Sequence, residues 1–151
     1  MRLRWFLEAI ALLLVLFTFG VVAVHYNGLP DSVPRHYGFS GRPDAYGPKS
    51  MMWLLPCVSA LLYALTSFCQ RYPKLINLPF QVDRDDPEVR SILDLMTLSL
   101  KTVVAAMFSW LTRAGMETAF GTANGLGTYF LPVSLGAIGM ILIVFLRKLR
   151  R

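Results

Sequence analysis

The sequence predicts an all-α membrane protein, a bundle of four transmembrane helices with an ordered Pro/Gly-rich extracytoplasmic loop between the first two. Three observations carry this prediction. Of the 151 residues, 55% are hydrophobic and 16% are charged, whereas an average soluble domain carries about 25% charged residues. The hydrophobic residues form four blocks, each long enough to approach the thickness of a bilayer. The ten-residue alternation of a transmembrane strand is absent from the sequence, so we expect helices.

The four hydrophobic blocks are interpreted, in chain order, as the helices of one membrane domain over residues 1–151. The blocks cover residues 5–24, 51–68, 95–111 and 126–146; the second and fourth carry no charged residue, and the first and third carry one each, Glu8 and Lys101. About 20 residues rising 1.5 Å each cross a hydrocarbon core of roughly 30 Å. We therefore expect helices at about 5–24, 51–68, 87–112 and 126–146.

The first block has one alternative interpretation, a cleaved signal peptide, because Arg2 and Arg4 precede it. Its apolar run is longer than that of a typical signal peptide, and no small-x-small cleavage site precedes His25. We therefore expect a retained helix.

Lysine and arginine are distributed unequally between the two sides of the predicted bundle. Four of them lie in the first and third loops. Ten lie on the other side, at the two termini, in the second loop (residues 69–86) and just after that loop at Arg90. The positive-inside rule places both termini and loop 69–86 in the cytoplasm and loop 25–50 outside. Membrane topology therefore accounts for the net charge of +6, and no nucleic-acid partner is predicted.

Glu8 and Lys101 both lie toward the cytoplasmic leaflet in this orientation. Because charges inside a membrane usually find a partner, they are candidates for an ion pair across the bundle. The alternative is that each side chain reaches the interface separately.

Loop 25–50 is the unusual segment, with four prolines and four glycines in 26 residues. These residues favour tight turns, and a flexible linker would be rich in Gly and Ser instead. Four aromatic residues are interleaved with them: Tyr26, Tyr37, Phe39 and Tyr46. We expect an ordered cap, the outer cap loop, lying on the membrane surface.

Both histidines of the chain, His25 and His36, lie in this loop with Asp31 and Asp44. Such groups can bind zinc, act as an acid–base pair or respond to pH. Their spacing matches no standard ligand pattern, so structural roles in turns are favoured. We predict no catalytic residue, no metal site and no cofactor.

Four short motifs resemble a known family. Three lie in the loop, Leu29-Pro30-Asp31, Val33-Pro34-x-His36 and Gly41-x-Pro43-Asp44-x-Tyr46-Gly47-x-Lys49, and one follows the second helix, Tyr72-Pro73-x-x-x-Asn77-x-Pro79. Together they are similar to the signature of the domain-of-unknown-function 1648 (DUF1648) family. The resemblance spans residues 5 to about 112. Eight positions are carried over from the family: Pro30, Pro34, His36, Gly41, Asp44, Lys49, Asn77 and Pro79. With Asp31 and Tyr46 of the same motifs, they make ten positions of a predicted binding or structural motif.

The resemblance implies an integral protein of the bacterial cytoplasmic (inner) membrane. The same module occurs in membrane proteins that protect cells from a secreted peptide toxin and that sequester a transcriptional repressor. This chain departs from the family at Tyr37-Gly38, where an asparagine is frequent, and at Lys74, where many members carry histidine.

The third helix has a start signal ahead of the membrane. Asp86 is a suitable N-cap, Pro87 suits the first helical position, and Glu88 places an acid in the first turn. The apolar stripe that follows is an interfacial face or a docking surface for a cytosolic partner.

Three functional hypotheses follow. The first is a non-enzymatic small membrane protein that recognises a peptide or envelope component through its outer loop, as in immunity or signalling. The second is an accessory subunit of a larger membrane complex. The third is a small transporter or membrane enzyme that uses the loop histidine and aspartates. The predicted partners are the lipid bilayer and a protein or peptide.

Overall fold

The structure, a computed structural model, describes residues 2–150. Four α-helices dominate it: α1 (Arg2–His25), α2 (Leu54–Arg71), α3 (Pro87–Ala119) and α4 (Phe130–Leu149). Two strands, β1 (Ser32–Tyr37) and β2 (Pro43–Pro48), form an antiparallel pair between α1 and α2. The described residues also form three short 3-10 helices, Tyr26–Gly28, Lys49–Trp53 and Pro73–Leu75.

All four helices are long and apolar enough to cross a membrane, which confirms that part of the prediction. Their most apolar stretches are poorly covered by protein, and only 6% of the stretch in α4 is buried. Side chains such as Leu13, Leu61 and Val133 are more than half exposed. An apolar surface of this extent is stable against lipid and not against water.

The fold-class prediction omitted one element, because the connection between α1 and α2 contains a two-stranded sheet and the protein is not purely α-helical. The strands are short and rich in proline, which cannot donate to a ladder and is tolerated in a two-stranded ribbon. At the tip, the amide of Gly41 donates to the carbonyl of Gly38 over 2.9 Å, and Gly41 adopts a positive φ of 74°. The prolines and glycines interrupt the alternation of apolar and polar residues, so the two strands are difficult to recognise in the sequence.

The helix bounds also differ from the predicted ones. The second helix begins at Leu54, because a 3-10 helix occupies Lys49–Trp53. The third continues to Ala119, seven residues beyond the predicted end, and the fourth begins at Phe130 instead of 126. Gly125 and Gly127 have φ values of 132° and 85°, which exclude a helix there.

Helix α3 begins at Pro87, as the capping residues in the sequence predict. The side chain of Asp86 accepts a hydrogen bond of 2.7 Å from the amide of Glu88, and Pro87 occupies the first turn. The cap satisfies an amide that has no partner within the helix.

The long helix α3 is the centre of the bundle, since α1, α2 and α4 all pack against it. Buried residues of α1 recur at helical spacing and face the bundle interior: Ala11, Val15, Thr18 and Val22. One apolar cluster holds the hairpin against α1 and α3. A second cluster lies at the opposite end, around Leu93, Met96 and Leu149. We call these the hairpin end and the terminal end of the bundle.

Candidate functional site

The hairpin is fixed to the bundle by its buried face. Val33 is fully buried, and it packs with Leu29, Met52, Val22 and Met116 in the cluster at the hairpin end. These residues come from the hairpin and its flanks, from α1 and from the part of α3 beyond the predicted end. The extra turns of α3 therefore provide the platform on which the hairpin rests.

The tip of the hairpin is held by a backbone contact. The amide of Leu126 donates to the carbonyl of Gly41 over 2.8 Å, and the indole of Trp110 donates to the carbonyl of Leu126 over 3.1 Å. A Cβ on Gly41 would lie 2.9 Å from the carbonyl oxygen of Gly127. Glycine is required here because two backbone segments touch without intervening side chains.

His36 and Asp44 form a pair on the exposed side of the hairpin. His36 Nδ1 lies 2.6 Å from Asp44 Oδ1, and the two side chains are 70% and 52% exposed. His36 opposes Ala45 across the ladder, and the register shifts on both sides of His36. Such bulges re-aim side chains, and here the shift brings Asp44 beside the imidazole. With Nδ1 bonded to the carboxylate, Nε2 of His36 is left for another partner.

A cleft of 430 Å³ opens between the hairpin and the start of α4. Its lining includes the apolar side chains of Leu126, Phe130 and Leu131 and the exposed side chains of His36 and Asp44. Phe39, also at this cleft, is 96% exposed. A cleft with a largely apolar lining and a few polar groups is typical of a binding site.

A second cleft of 270 Å³ lies against the hairpin from the side of α2 and α3, lined by Arg35, Met51, Leu55 and Leu111 among others. His36, Tyr37 and Leu126 belong to both clefts.

Tyr37 is half-buried at the hairpin site, and its hydroxyl is buried. Burial raises the pKa of Tyr37, and Tyr46 adds to this effect while Thr118 opposes it. Thr118 lies close enough to act on the phenol, but the hydroxyl makes no hydrogen bond of standard geometry in the described residues. The phenol of Tyr37 therefore stays neutral well into the alkaline range.

The other histidine and aspartate of the loop do not join this pair. His25 Nδ1 lies 2.9 Å from the carbonyl oxygen of Val21, at the end of α1. Asp31 lies 3.7 Å from Lys49 Nζ, and the Lys49 amide donates to the Asp31 carbonyl. Across residues 2–150, no group of three or more His, Cys, Asp or Glu side chains could hold a metal ion.

The remaining motif positions are spread over the molecule. Pro34 is buried in β1, Tyr46 is exposed on β2, and Pro30 is exposed just before β1. Asn77 and Pro79 are exposed in the loop between α2 and α3, at the terminal end and far from the hairpin along the bundle. The ten motif positions therefore do not form one site.

The structure brings Glu8 and Lys101 together inside the bundle. Lys101 Nζ lies 2.9 Å from Glu8 Oε2, and the lysine side chain is only 1% exposed. The ammonium also donates to Ser67 Oγ over 2.9 Å and to Gln70 Oε1 over 2.7 Å. Tyr63 donates a hydrogen bond of 2.5 Å to Glu8. A buried charge is tolerated when it is paired and its hydrogen bonds are satisfied.

The network continues toward the terminal end. Gln70 Nε2 donates to Asp94 Oδ1 over 2.7 Å, and Arg4 Nη1 lies 2.9 Å from Asp94 Oδ2. Arg4 also donates to Ser91 Oγ over 2.8 Å. The chain of contacts joins α1, α2 and α3 through six principal residues, Arg4, Asp94, Gln70, Lys101, Glu8 and Tyr63.

Four of those six residues, Arg4, Asp94, Gln70 and Tyr63, were not predicted from sequence as members of a network. Gln70 and Asp94 lie near helix ends, where polar residues need no special explanation. The available signal was spacing: Tyr63, Ser67 and Gln70 recur on one face of α2 at intervals of four and three.

Comparisons with known proteins agree with the family resemblance. A model of the family described as "Domain of unknown function (DUF1648)" matches residues 13–60. An uncharacterized protein of the archaeon Archaeoglobus fulgidus is 36% identical over 62 residues, covering 36% of this chain and 34% of the relative. The chain thus matches about a third of the length of that curated relative. No solved structure matches.

The matched segment runs from the middle of α1 through the hairpin into α2. It includes His36, Gly41, Asp44 and Lys49 but neither Glu8 nor Lys101, and the motif that follows the second helix, Tyr72–Pro79, lies beyond it. The hairpin, the second half of α1 and the first turns of α2 are therefore the part of this chain that is similar to the DUF1648 family.

Proposed function

We propose that this protein is a non-enzymatic protein of the bacterial cytoplasmic membrane that recognises a peptide or an envelope component through its hairpin. Both termini face the cytoplasm and the hairpin faces outward, in accord with ten basic residues on one side and four on the other. The exposed aromatic residues Phe39, Trp110 and Tyr129 at the hairpin end suit the membrane interface.

The observation that carries this proposal is the exposed His36–Asp44 pair in the lining of a largely apolar cleft. Apolar side chains of a ligand would pack on Leu126 and Phe130. Nε2 of His36 and the second oxygen of Asp44 would bond its polar groups. An amphipathic peptide arriving along the membrane surface combines these two features.

The orientation is tested by labelling in intact cells. Ser40→Cys places a thiol at the exposed hairpin tip, with Cys57 and Cys69 replaced by serine. A membrane-impermeant maleimide should label this variant, while a matched Leu75→Cys variant at the terminal end should react only after the cells are opened. The reverse labelling pattern would overturn the proposed topology.

Recognition is tested by photo-crosslinking in the native membrane. A benzophenone side chain at Phe39 should give a discrete adduct with a peptide or envelope component. The adduct should be lost with Asp44→Asn or His36→Gln, at unchanged abundance of the folded protein. The matched control places the benzophenone at Leu75. Adducts that are the same at both positions, or that persist in both variants, would contradict recognition at the hairpin.

A second proposed function, an accessory subunit of a membrane complex, is favoured by α4. This helix packs along α3, and its glycines Gly136 and Gly139 have open space where a Cβ would be. Glycines on a lipid-facing surface let a second helix approach closely. Purification from the native membrane in mild detergent should then yield a fixed stoichiometric partner.

A third hypothesis, transport or catalysis by His36 and Asp44, requires a turnover that disappears with His36→Gln.

A further inference from the structure

A third cleft lies at the terminal end of the bundle, opposite the hairpin. Its volume is 480 Å³, and it is formed by the loop between α2 and α3 and the last two turns of α4. Pro79, Phe80, Ile143 and Leu146 provide apolar walls. Two further lining residues, Arg147 and Arg150, are exposed cations.

The turn that carries the two arginines is anchored by Leu149, which lies between them in the sequence. Leu149 is 8% exposed and packs in the cluster with Leu93 and Met96. This contact fixes the last turn of α4. Arg150 directly follows the helix with helical backbone angles (φ −91°, ψ −9°), so it shares a face with Arg147, three residues earlier. The two guanidinium groups are therefore directed to one cleft by the packing of the helix.

No carboxylate of the described chain neutralises this pair. Arg147 and Arg150 take part in none of the ion pairs found in residues 2–150. Four acidic side chains of the terminal end have other partners: Asp94 pairs with Arg4, Asp85 with Lys74, Asp86 caps α3, and Asp83 accepts a hydrogen bond from the amide of Asp85. Glu88, in the first turn of α3, is not among the residues that line the cleft. The C-terminal carbonyls of α4 contribute only about half a negative charge, so the cleft is a net positive site.

The depth of the cleft matches that of lipid headgroups. Helix α4 has 20 residues and is about 30 Å long, which equals the hydrocarbon thickness. With Phe130 at one boundary, Arg147 and Arg150 lie at the other. Ile143 lies about one turn deeper than Arg147, and Leu146 about one turn deeper than Arg150. A molecule with a phosphate at the boundary and a hydrocarbon chain below it matches both surfaces.

We propose that the cleft of Arg147, Arg150, Phe80 and Ile143 binds one anionic phospholipid. The guanidinium groups hold the headgroup phosphate with charge-assisted hydrogen bonds, and an acyl chain lies along Ile143 and Leu146. The site is separate from the hairpin, and its existence does not depend on recognition there.

The test uses the full chain purified in a mild detergent and native mass spectrometry. Phosphatidylglycerol is titrated in and compared with phosphatidylcholine of identical acyl chains. One phosphatidylglycerol should bind more tightly than the rest and more tightly than phosphatidylcholine. Arg147→Gln and Arg150→Gln should each weaken this binding about fivefold, the change expected for one basic residue near an anionic headgroup.

Lys148→Gln is the matched control, because it removes one positive charge from the same turn at an exposed residue outside the cleft. It should leave the affinity for phosphatidylglycerol unchanged. Equal losses in Lys148→Gln and Arg147→Gln would show general attraction to a basic tail and overturn the site. Equal binding of both lipids would also overturn it, as would displacement of phosphatidylglycerol by millimolar inorganic phosphate.

Discussion

Replacing Glu8 with glutamine should destabilise the protein more than replacing its partner Lys101 with methionine. The two residues form one ion pair, but their surroundings differ. The lysine side chain is 1% exposed and the glutamate side chain 31%. Removal of the glutamate charge leaves a cation enclosed by protein, whereas removal of the lysine leaves a carboxylate that still accepts a hydrogen bond from Tyr63 and is only partly enclosed.

The magnitudes follow from what each variant leaves behind. An uncompensated buried charge costs about 3–5 kcal/mol, and we expect this for Glu8→Gln. In Lys101→Met, Glu8 keeps the hydrogen bond from Tyr63, and Gln70 keeps the one to Asp94. We therefore expect a cost of about 1–3 kcal/mol, the value for unsatisfied polar groups. The double variant should cost less than the sum of the two, because both remove the same pair.

The assay is unfolding of the protein in mixed micelles as dodecyl sulfate replaces a mild detergent, followed by the fluorescence of the three tryptophans. Glu117→Gln is the control, because Glu117 forms an exposed ion pair with Arg113, and such pairs contribute 0–1 kcal/mol. The reasoning is refuted if Glu8→Gln costs no more than Lys101→Met, or no more than Glu117→Gln.

Three further predictions use the same unfolding assay. Gly41→Ala should cost about 2 kcal/mol or more of unfolding free energy. Gly121→Ala, with the same φ of 74° but open space around it, should cost only the backbone strain of about 1 kcal/mol. Equal costs for the two variants would contradict a tight backbone contact at the hairpin tip. Asp86→Ala should cost about 1 kcal/mol through loss of the α3 cap, and no change would contradict the cap. Tyr37→Phe should change stability by less than about 1 kcal/mol at neutral pH, because the hydroxyl has no bond to lose. Because burial raises the pKa of Tyr37 above 10.0 in the folded state, the unfolded chain ionises more readily, and the protein loses stability as the pH rises above 10 through that pKa. The phenylalanine variant should lack this part of the alkaline loss.

The helices could be predicted from sequence because lipid imposes a length and a composition on them. The start of α3 at Pro87 could also be predicted, since capping by Asp86 is local chemistry. The end of α3 could not, because its last turns are held by contacts with the hairpin, such as Met116 against Val33. Burial against another segment leaves no local signature in the chain.

The hairpin was missed for a related reason. Prolines and glycines in residues 25–50 indicate turns, and the short strands between them lack an uninterrupted alternation. The pairing of His36 with Asp44 depends on a shift of register, which no spacing rule anticipates. The partner of Glu8 could be proposed because only two charges lie in the hydrophobic blocks, whereas Gln70 and Tyr63 are ordinary residues until the helices are packed.

The helix α4 connects the two proposed binding sites. It contributes Phe130 to the cleft at the hairpin and Arg147 to the cleft at the terminal end. The polar network that joins α1, α2 and α3 contains no residue of α4. Helix α4 is held instead by its packing on α3, by the contact of Leu126 with Gly41 just before its start, and by Leu149 near its end. The geometry of both clefts therefore depends on these contacts and not on the buried ion pair.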